Sequence, residues 1–405
     1  MPPRHRAGLS MVRQRAEQQR TAVTRGKIVD GAIGVLARQG IAGLTHRAVA
    51  QGAGVSLAAT TYHFATKADI LEAASQRLLD GYLAAFDRLE ARIGAGGETA
   101  LVTPEDLVVR VAGNALGRER IRSLAWCEII LHCARDPAGR AVAQGWYQAL
   151  DGIWARIGAR LDPAAGPDDA RQAIDLVVGL TFLLHPLALA PEVAAAILSG
   201  ARDPAGDLAA LAGDMPAPAA SAAGQQVIAA TIAVLIDDGA AGVTFRSVAE
   251  RAGLSRSGPA HHFASVARLV EVAQLTLFQN AKARYRAALA GSTAGPLAAG
   301  PLLDLTAAVF VREALEHARE NTGHYSAWVS AAQTPALRPV VAAAELDQHR
   351  AWCRRLAPLG AGPATALRFQ ALFVGMLIRA LAAGADPGLL ARVRPAFARC
   401  LGSPD

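Results

Sequence analysis

Apolar residues recur through this chain at the three-and-four spacing of helices. Between residues 25 and 39, Ile28, Ala32, Val35 and Leu36 fall on one face, and Gly40 follows as a stop signal. From Lys67 to about Arg92, Ile70, Leu71, Ala74 and Leu78 repeat the pattern behind a Thr66 cap, and Gly94 to Gly97 breaks it. Between these lies Leu44 to Leu71, the stretch that organises the rest. Thr45 is a good N-cap, and Val49 and Ala50 give the short helix after it one apolar face. Gly54 permits a sharp turn at positive φ, and Ser56 caps a second short helix. Two short helices joined this way form a helix-turn-helix, whose second helix can enter a DNA major groove. An ordinary αα-hairpin would show the same periodicity.

The same stretch occurs twice. From Val227 to Ala273 it returns without a gap at an offset of 199 residues. Thr45 pairs with Thr244, Arg47 with Arg246, Gly54 with Gly253, Ser56 with Ser255, and His63-Phe64-Ala65 with His262-Phe263-Ala264. Retention of polar residues in both copies would be odd if they served packing alone. Beyond the heads, residues 104–200 read as helices punctuated by Pro104, Asp136-Pro137, Asp162-Pro163 and Pro191. Thr334-Pro335, Trp352, Gly375 and Pro387 repeat Asp136-Pro137, Trp154, Gly179 and Pro191 at offsets drifting from 198 to 196. A separation this long is a domain duplication and not a solenoid.

The order Thr, Arg, Val-Ala, Ala-Gly-Val-Ser, Tyr-His-Phe, Lys, Ile-Leu resembles the DNA-binding head of the tetracycline-repressor (TetR) family. The resemblance implies an all-α fold of two tandem modules. Each would hold a three-helix helix-turn-helix head followed by a helical bundle for ligand binding and pairing. The expected divisions are a basic arm at 1–24, a first head with connecting helix at 25–92, and a first bundle at 104–202. An Ala/Gly/Pro-rich linker at 203–224, a second head at 225–290 and a second bundle at 301–402 follow.

The candidate DNA contacts of the first head are Thr45, Arg47, Ser56, Leu57, Ala58, Thr60, Thr61, Tyr62, His63 and Lys67. Those of the second are Thr244, Arg246, Ser255, Arg256, Ser257, His261 and His262. Leu57, Ala58, Thr60 and Thr61 suit thymine methyls or hydroxyl donation, whereas Arg256 can hold guanine or a phosphate. Pro259 falls in the first turn, where it removes at most one helical bond. His261 replaces Tyr62, and Val266 replaces Lys67, which removes a phosphate contact.

The formal charge is +7, and residues 1–27 contribute +6 of it, with seven basic side chains against Glu17. Such an arm can reach phosphates, or it can be a solvated tail. No apolar segment follows it as in a secretion signal. The run Leu176 to Ala190 is interrupted by Thr181, His185 and Pro186, and Leu372 to Ala382 is short and carries Arg379, so no membrane span is expected. Four scattered cysteines suit a reducing cytoplasm.

No phosphate loop, zinc-protease motif or nucleophile elbow occurs, and no cofactor is expected. Glu128 and His132 share a helix face, but a lone pair of this type is commonly a polar contact, and no metal is assigned. The family's second domain encloses an apolar pocket, which points to Trp126, His132, Trp154, Phe182, Trp328, Trp352 and Phe373 as ligand-binding residues. The partners expected are double-stranded operator DNA and a small apolar effector. The long C-terminal helices, about 138–161 with 168–189 and 336–356 with 363–383, would pair the modules within one chain. Alternatives are a four-headed homodimer, a ligand sensor whose heads have lost DNA, and a helical enzyme.

Overall fold

The computed structural model describes residues 4–97, 101–213, 221–290 and 297–402, and among them there is no strand. The first head is built from α1 (Arg4–Gly43), α2 (His46–Ala53) and α3 (Leu57–His63), and α4 (Lys67–Gly94) leads away from it. The first bundle holds α5 (Pro104–Leu116), α6 (Arg120–Cys133), α7 (Pro137–Leu161), α8 (Pro167–Leu184) and α9 (Pro191–Leu198). After α10 (Ala205–Leu211), the second half repeats this order. Its head is α11 (Ala222–Asp238), α12 (Phe245–Ala252) and α13 (Gly258–His262), followed by α14 (Val266–Ala290). Its bundle is α15 (Ala299–Leu315), α16 (Ala318–Ser330), α17 (Arg338–Leu356), α18 (Pro363–Ala383) and α19 (Pro387–Cys400).

Local chemistry sets the ends of these elements. The Thr45 hydroxyl accepts from Ala48 N–H, and Ser56 from Ala59 N–H, so each short helix satisfies a donor at its open end. Gly54 closes α2 at φ 64, and Gly253 closes α12 at φ 66, a conformation where a side chain would be strained. Thr66 and Asp69 form a reciprocal capping box on α4. Val49, Ala50, Phe64 and Ile70 are buried and hold α2, α3 and α4 to α1.

Three sequence expectations change. Helix α1 begins at Arg4, so the stretch read as an arm continues the first head helix; its residues 1–3 lie outside the described residues. The segment read as a linker begins with a helix, α10, which packs on α17 and whose Asp207 pairs with Arg202 at 2.6 Å. Residues 214–220 of that expected linker lie outside the described residues. Finally, the run around Leu372 belongs to a helix of 21 residues that meets the length and composition of a membrane span. Pro363 starts it earlier than the apolar run suggests. Most of its apolar window, 83%, is buried inside the fold.

The two halves meet chiefly where α8 lies against α18. Their backbones touch at two glycines. A Cβ on Gly179 would lie 1.7 Å from the Ala371 carbonyl oxygen, and one on Gly375 would lie 1.7 Å from that of Asp175. Beside this crossing, Arg379 Nε donates to Asp175 at 2.7 Å and Nη1 to Asp151 at 3.1 Å. Its guanidinium also lies 4.2 Å from the centre of the Tyr147 ring. Burial pulls the Arg379 pKa down, but Asp175 and Asp151 outweigh it and hold the guanidinium charged.

Candidate nucleic-acid interface and the junctions behind it

Helix α3 presents one face to solvent and one to the head's core. Leu57, Ala58, Thr61 and Tyr62 are exposed, Tyr62 at 83%. The Thr61 hydroxyl is turned back onto the Leu57 and Ala58 carbonyls, at 3.3 and 3.1 Å. Thr60 corrects the sequence reading. Its side chain is wholly buried and donates to the Ser56 carbonyl at 3.1 Å, so it braces the helix from within and cannot reach a base. Thr45, Arg47, Ser56 and Lys67 are exposed around this face. Both capping hydroxyls accept from their own helix, which leaves their hydrogens for a phosphate oxygen. His63 is half-buried; the Arg25 guanidinium donates to its carbonyl at 3.5 Å and lies 4.5 Å from the centre of the Phe64 ring. Arg25 thereby ties α1 to the end of α3.

The second head keeps the frame and changes the exposed residues. Thr244, Arg246, Ser255, Arg256, Ser257, His261 and His262 are all exposed. Arg246 is ion-paired along its own helix with Glu250 at 2.9 Å. The recognition helix is shorter, five residues against seven. In the first head, Thr60 N–H donates to the Ser56 carbonyl. Its counterpart Pro259 has no N–H, and the Ser255 carbonyl instead accepts from Gly258 in a tight turn at 2.8 Å. Proline therefore removes the first turn as well as one bond. Arg256 and Ser257 precede the helix instead of riding on it.

Behind the heads each bundle reaches across to the other half. Arg135, at the end of α6, donates to the Ile236 and Leu235 carbonyls at 3.3 and 3.5 Å, on the last turn of α11. Gln333, its equivalent at offset 198, donates to the Leu36 carbonyl at 3.5 Å and to Glu128 at 2.9 Å. Glu128 also accepts from Ile41 N–H at 3.3 Å. Burial raises the Glu128 pKa against these two hydrogen bonds. Its oxygens are thus committed to structure. The sequence reading missed Arg135 and Gln333. Both stand just before a matching boundary, Asp136-Pro137 and Thr334-Pro335, and that shared position was the available signal.

The expected ligand residues divide among several places. Trp126 and Trp154 line a small apolar cavity of about 80 Å³ in the first bundle, and Phe182 is wholly buried against Trp126. Trp352 and Phe373 line a larger one of about 190 Å³ in the second bundle, and Trp328 is buried beside it against His324. His132 belongs to neither. It lies in a cleft of about 640 Å³ between the heads with Lys67 and Arg135. Burial first, then the charges of Arg135 and Lys67, lower its pKa.

Two family models match within residues 28–212. A family described as bacterial regulatory proteins, tetR family, matches residues 28–74, and one described as tetracyclin repressor-like, C-terminal domain, matches 102–212. The chain is similar to the HTH-type transcriptional regulator CymR of Pseudomonas putida. They are 29% identical over 174 residues, 41% of this chain and 79% of that protein. It is also similar to the multidrug binding protein EbrR complexed with imidazole, with 33% identity, 44% of this chain, 88% of that chain and a TM-score of 0.30. A TetR-family member from Streptomyces coelicolor A3 matches at 33% identity, over 44% of this chain and 96% of that chain, with a TM-score of 0.30.

Proposed function

We propose, from the premise that the chain belongs to the tetR family of bacterial regulatory proteins, that it grips operator DNA with two unlike heads paired inside one polypeptide. It is a DNA-binding transcriptional regulator and not an enzyme. In this reading it represses from the cytoplasm and releases DNA when a small apolar molecule enters a bundle. The observation that carries the reading is the exposed face of α3, with Leu57, Ala58 and the Thr61 methyl open to base edges, and with Tyr62 and Lys67 exposed as well. A recognition helix with such a face docks in the major groove while flanking polar groups fix it on phosphates.

Pairing within one chain is supported by the Gly179 and Gly375 crossing and by the buried Arg379–Asp175 contact, which has no copy at the equivalent positions Leu183 and Ala371. A contact present once suits unlike partners better than identical ones. The effector is supported by EbrR, a similar protein described as multidrug binding. The test is retardation of the DNA upstream of the protein's own gene, with the mass of the free protein measured alongside. Retardation by a single-chain species supports the proposal. No retardation at micromolar protein in low salt would remove the regulator reading, and a two-chain mass would favour four heads.

A further inference from the structure

The two bundles have the same helices but different interiors. In the first, Tyr82, Trp126 and Trp146 pack edge-on and tilted against one another and leave about 80 Å³. Their counterparts at offsets of 199, 198 and 198 are Ala281, His324 and Ala344. Three large rings are thereby reduced to two methyl groups and an imidazole. Two of these replacements, Ala281 and His324, line the cavity of about 190 Å³ in the second bundle, with Phe278, Trp352 and Phe373.

Both of its carboxylates are engaged. Glu313 is held by Arg284 through two bonds of 2.8 and 2.7 Å and by Asn321 at 2.9 Å, and Asp347 is paired with Lys282. With both carboxylates already matched by cations, the cavity has little to offer a ligand cation. His324 is different. Its Nδ1 is buried and has no hydrogen-bond partner among the described residues. Burial first, then Arg284, drives its pKa down to about 4, so the ring is neutral and offers one donor and one acceptor. A buried polar atom without a partner is costly unless a ligand or water completes it.

We propose that this chain has a single effector site, inside the second bundle, for an uncharged, ring-sized apolar molecule carrying one hydrogen-bonding group that meets His324. The first bundle is then a filled, structural copy. The proposal rests on the reading of the chain as a ligand-responsive regulator, but its test does not use DNA. The probe is 2-naphthol, an aromatic bicycle with one hydroxyl, titrated by calorimetry into the full-length protein. One site per chain is expected. His324→Trp and Ala281→Tyr each restore the first bundle's residue, and each should weaken binding by about tenfold or more. Trp126→Ala and Trp154→Ala in the first bundle should leave the probe's affinity for its one site within about twofold. Circular dichroism of each variant establishes that it is folded. Two equivalent sites, unchanged affinity in both refilled variants, or no binding up to the probe's solubility limit would overturn the proposal. If the probe binds once but the protein fails to retard DNA, the site stands and the regulator reading fails.

Discussion

Replacing Gly375 by Ala is the sharpest perturbation of the joint between the halves. In an open helix this change stabilises, because alanine is favoured over glycine by about 1 kcal/mol. Here the new Cβ would stand 1.7 Å from the Asp175 carbonyl oxygen, whereas ordinary contact begins near 3.4 Å, so α18 must back away by up to 1.7 Å. Backbone meets side chain at this point, and no rotamer change relieves it. The same movement stretches the Arg379–Asp175 contact from 2.7 Å toward about 4.4 Å, beyond hydrogen-bonding range. Overpacking costs about 1–3 kcal/mol, and disturbing a buried ion pair adds to it, approaching 3–5 kcal/mol if the pair breaks. Set against the helix gain of about 1 kcal/mol, the net loss is roughly 2–4 kcal/mol. Gly145→Ala is the control, since that glycine is exposed in α7 and nothing lies within 4 Å of its added Cβ. Urea midpoints of the two variants should move in opposite directions, Gly375→Ala down and Gly145→Ala up. A Gly375→Ala protein as stable as the parent would show that α8 and α18 do not cross as described.

Other outcomes follow from the same geometry. Lys67→Ala should lower affinity for all DNA sequences alike and reduce the salt slope by about one unit, read from anisotropy at several salt concentrations; an unchanged slope removes Lys67 from the phosphates. Burial pushes Glu345 up to about 8, against a hydrogen bond from Gln370 at 2.9 Å. Its folded pKa lies above its unfolded value, so the fold holds the proton more tightly. The stability tied to Glu345 is then full below about pH 4.5 and declines as pH rises toward 8. Glu345→Gln should flatten that decline in denaturation curves at pH 5 and pH 8, and an identical pH dependence in both proteins would contradict it. Gln333→Ala removes the donor from Glu128 and Leu36 while leaving the second-bundle cavity intact. It should preserve binding of 2-naphthol and alter hydrogen exchange at residues 36–41. Exchange unchanged there would mean that Gln333 does not secure the first head.

The heads were legible in the sequence because their determinants are local. Thr45, Gly54, Ser56 and Thr66 act on backbone groups within four residues, so each can be read in place. The repeat likewise needs only the order of residues. What remained hidden depends on approach across the chain. Arg379 reads in sequence only as a charge inside an apolar run, and nothing near it names Asp175, 204 residues away. Arg135 and Gln333 meet backbone carbonyls of the opposite half, which carry no residue identity. Thr60 looked like a base contact because its helix is too short for periodicity to tell its inner face from its outer one. Pro259 in sequence implies one lost bond, whereas the Ser255 carbonyl turns to Gly258 and the helix starts later. Aromatic content alone does not show the contrast between bundles, since it lies in what replaces Trp126 and Trp146 at the matching positions.

The central claim is that one chain presents two different readers to one operator. Selection of bound sites from random DNA tests it directly, since a protein with identical heads mirrors its own symmetry in its site. The exposed readers here differ, Leu57, Ala58 and Thr61 against Arg256, Ser257 and Ala260. The recovered sites should contain two unlike half-sites about one helical turn or a small multiple apart, with Arg256→Ala relaxing one half alone. A perfect palindrome, relaxed equally on both sides by Arg256→Ala, would contradict the account.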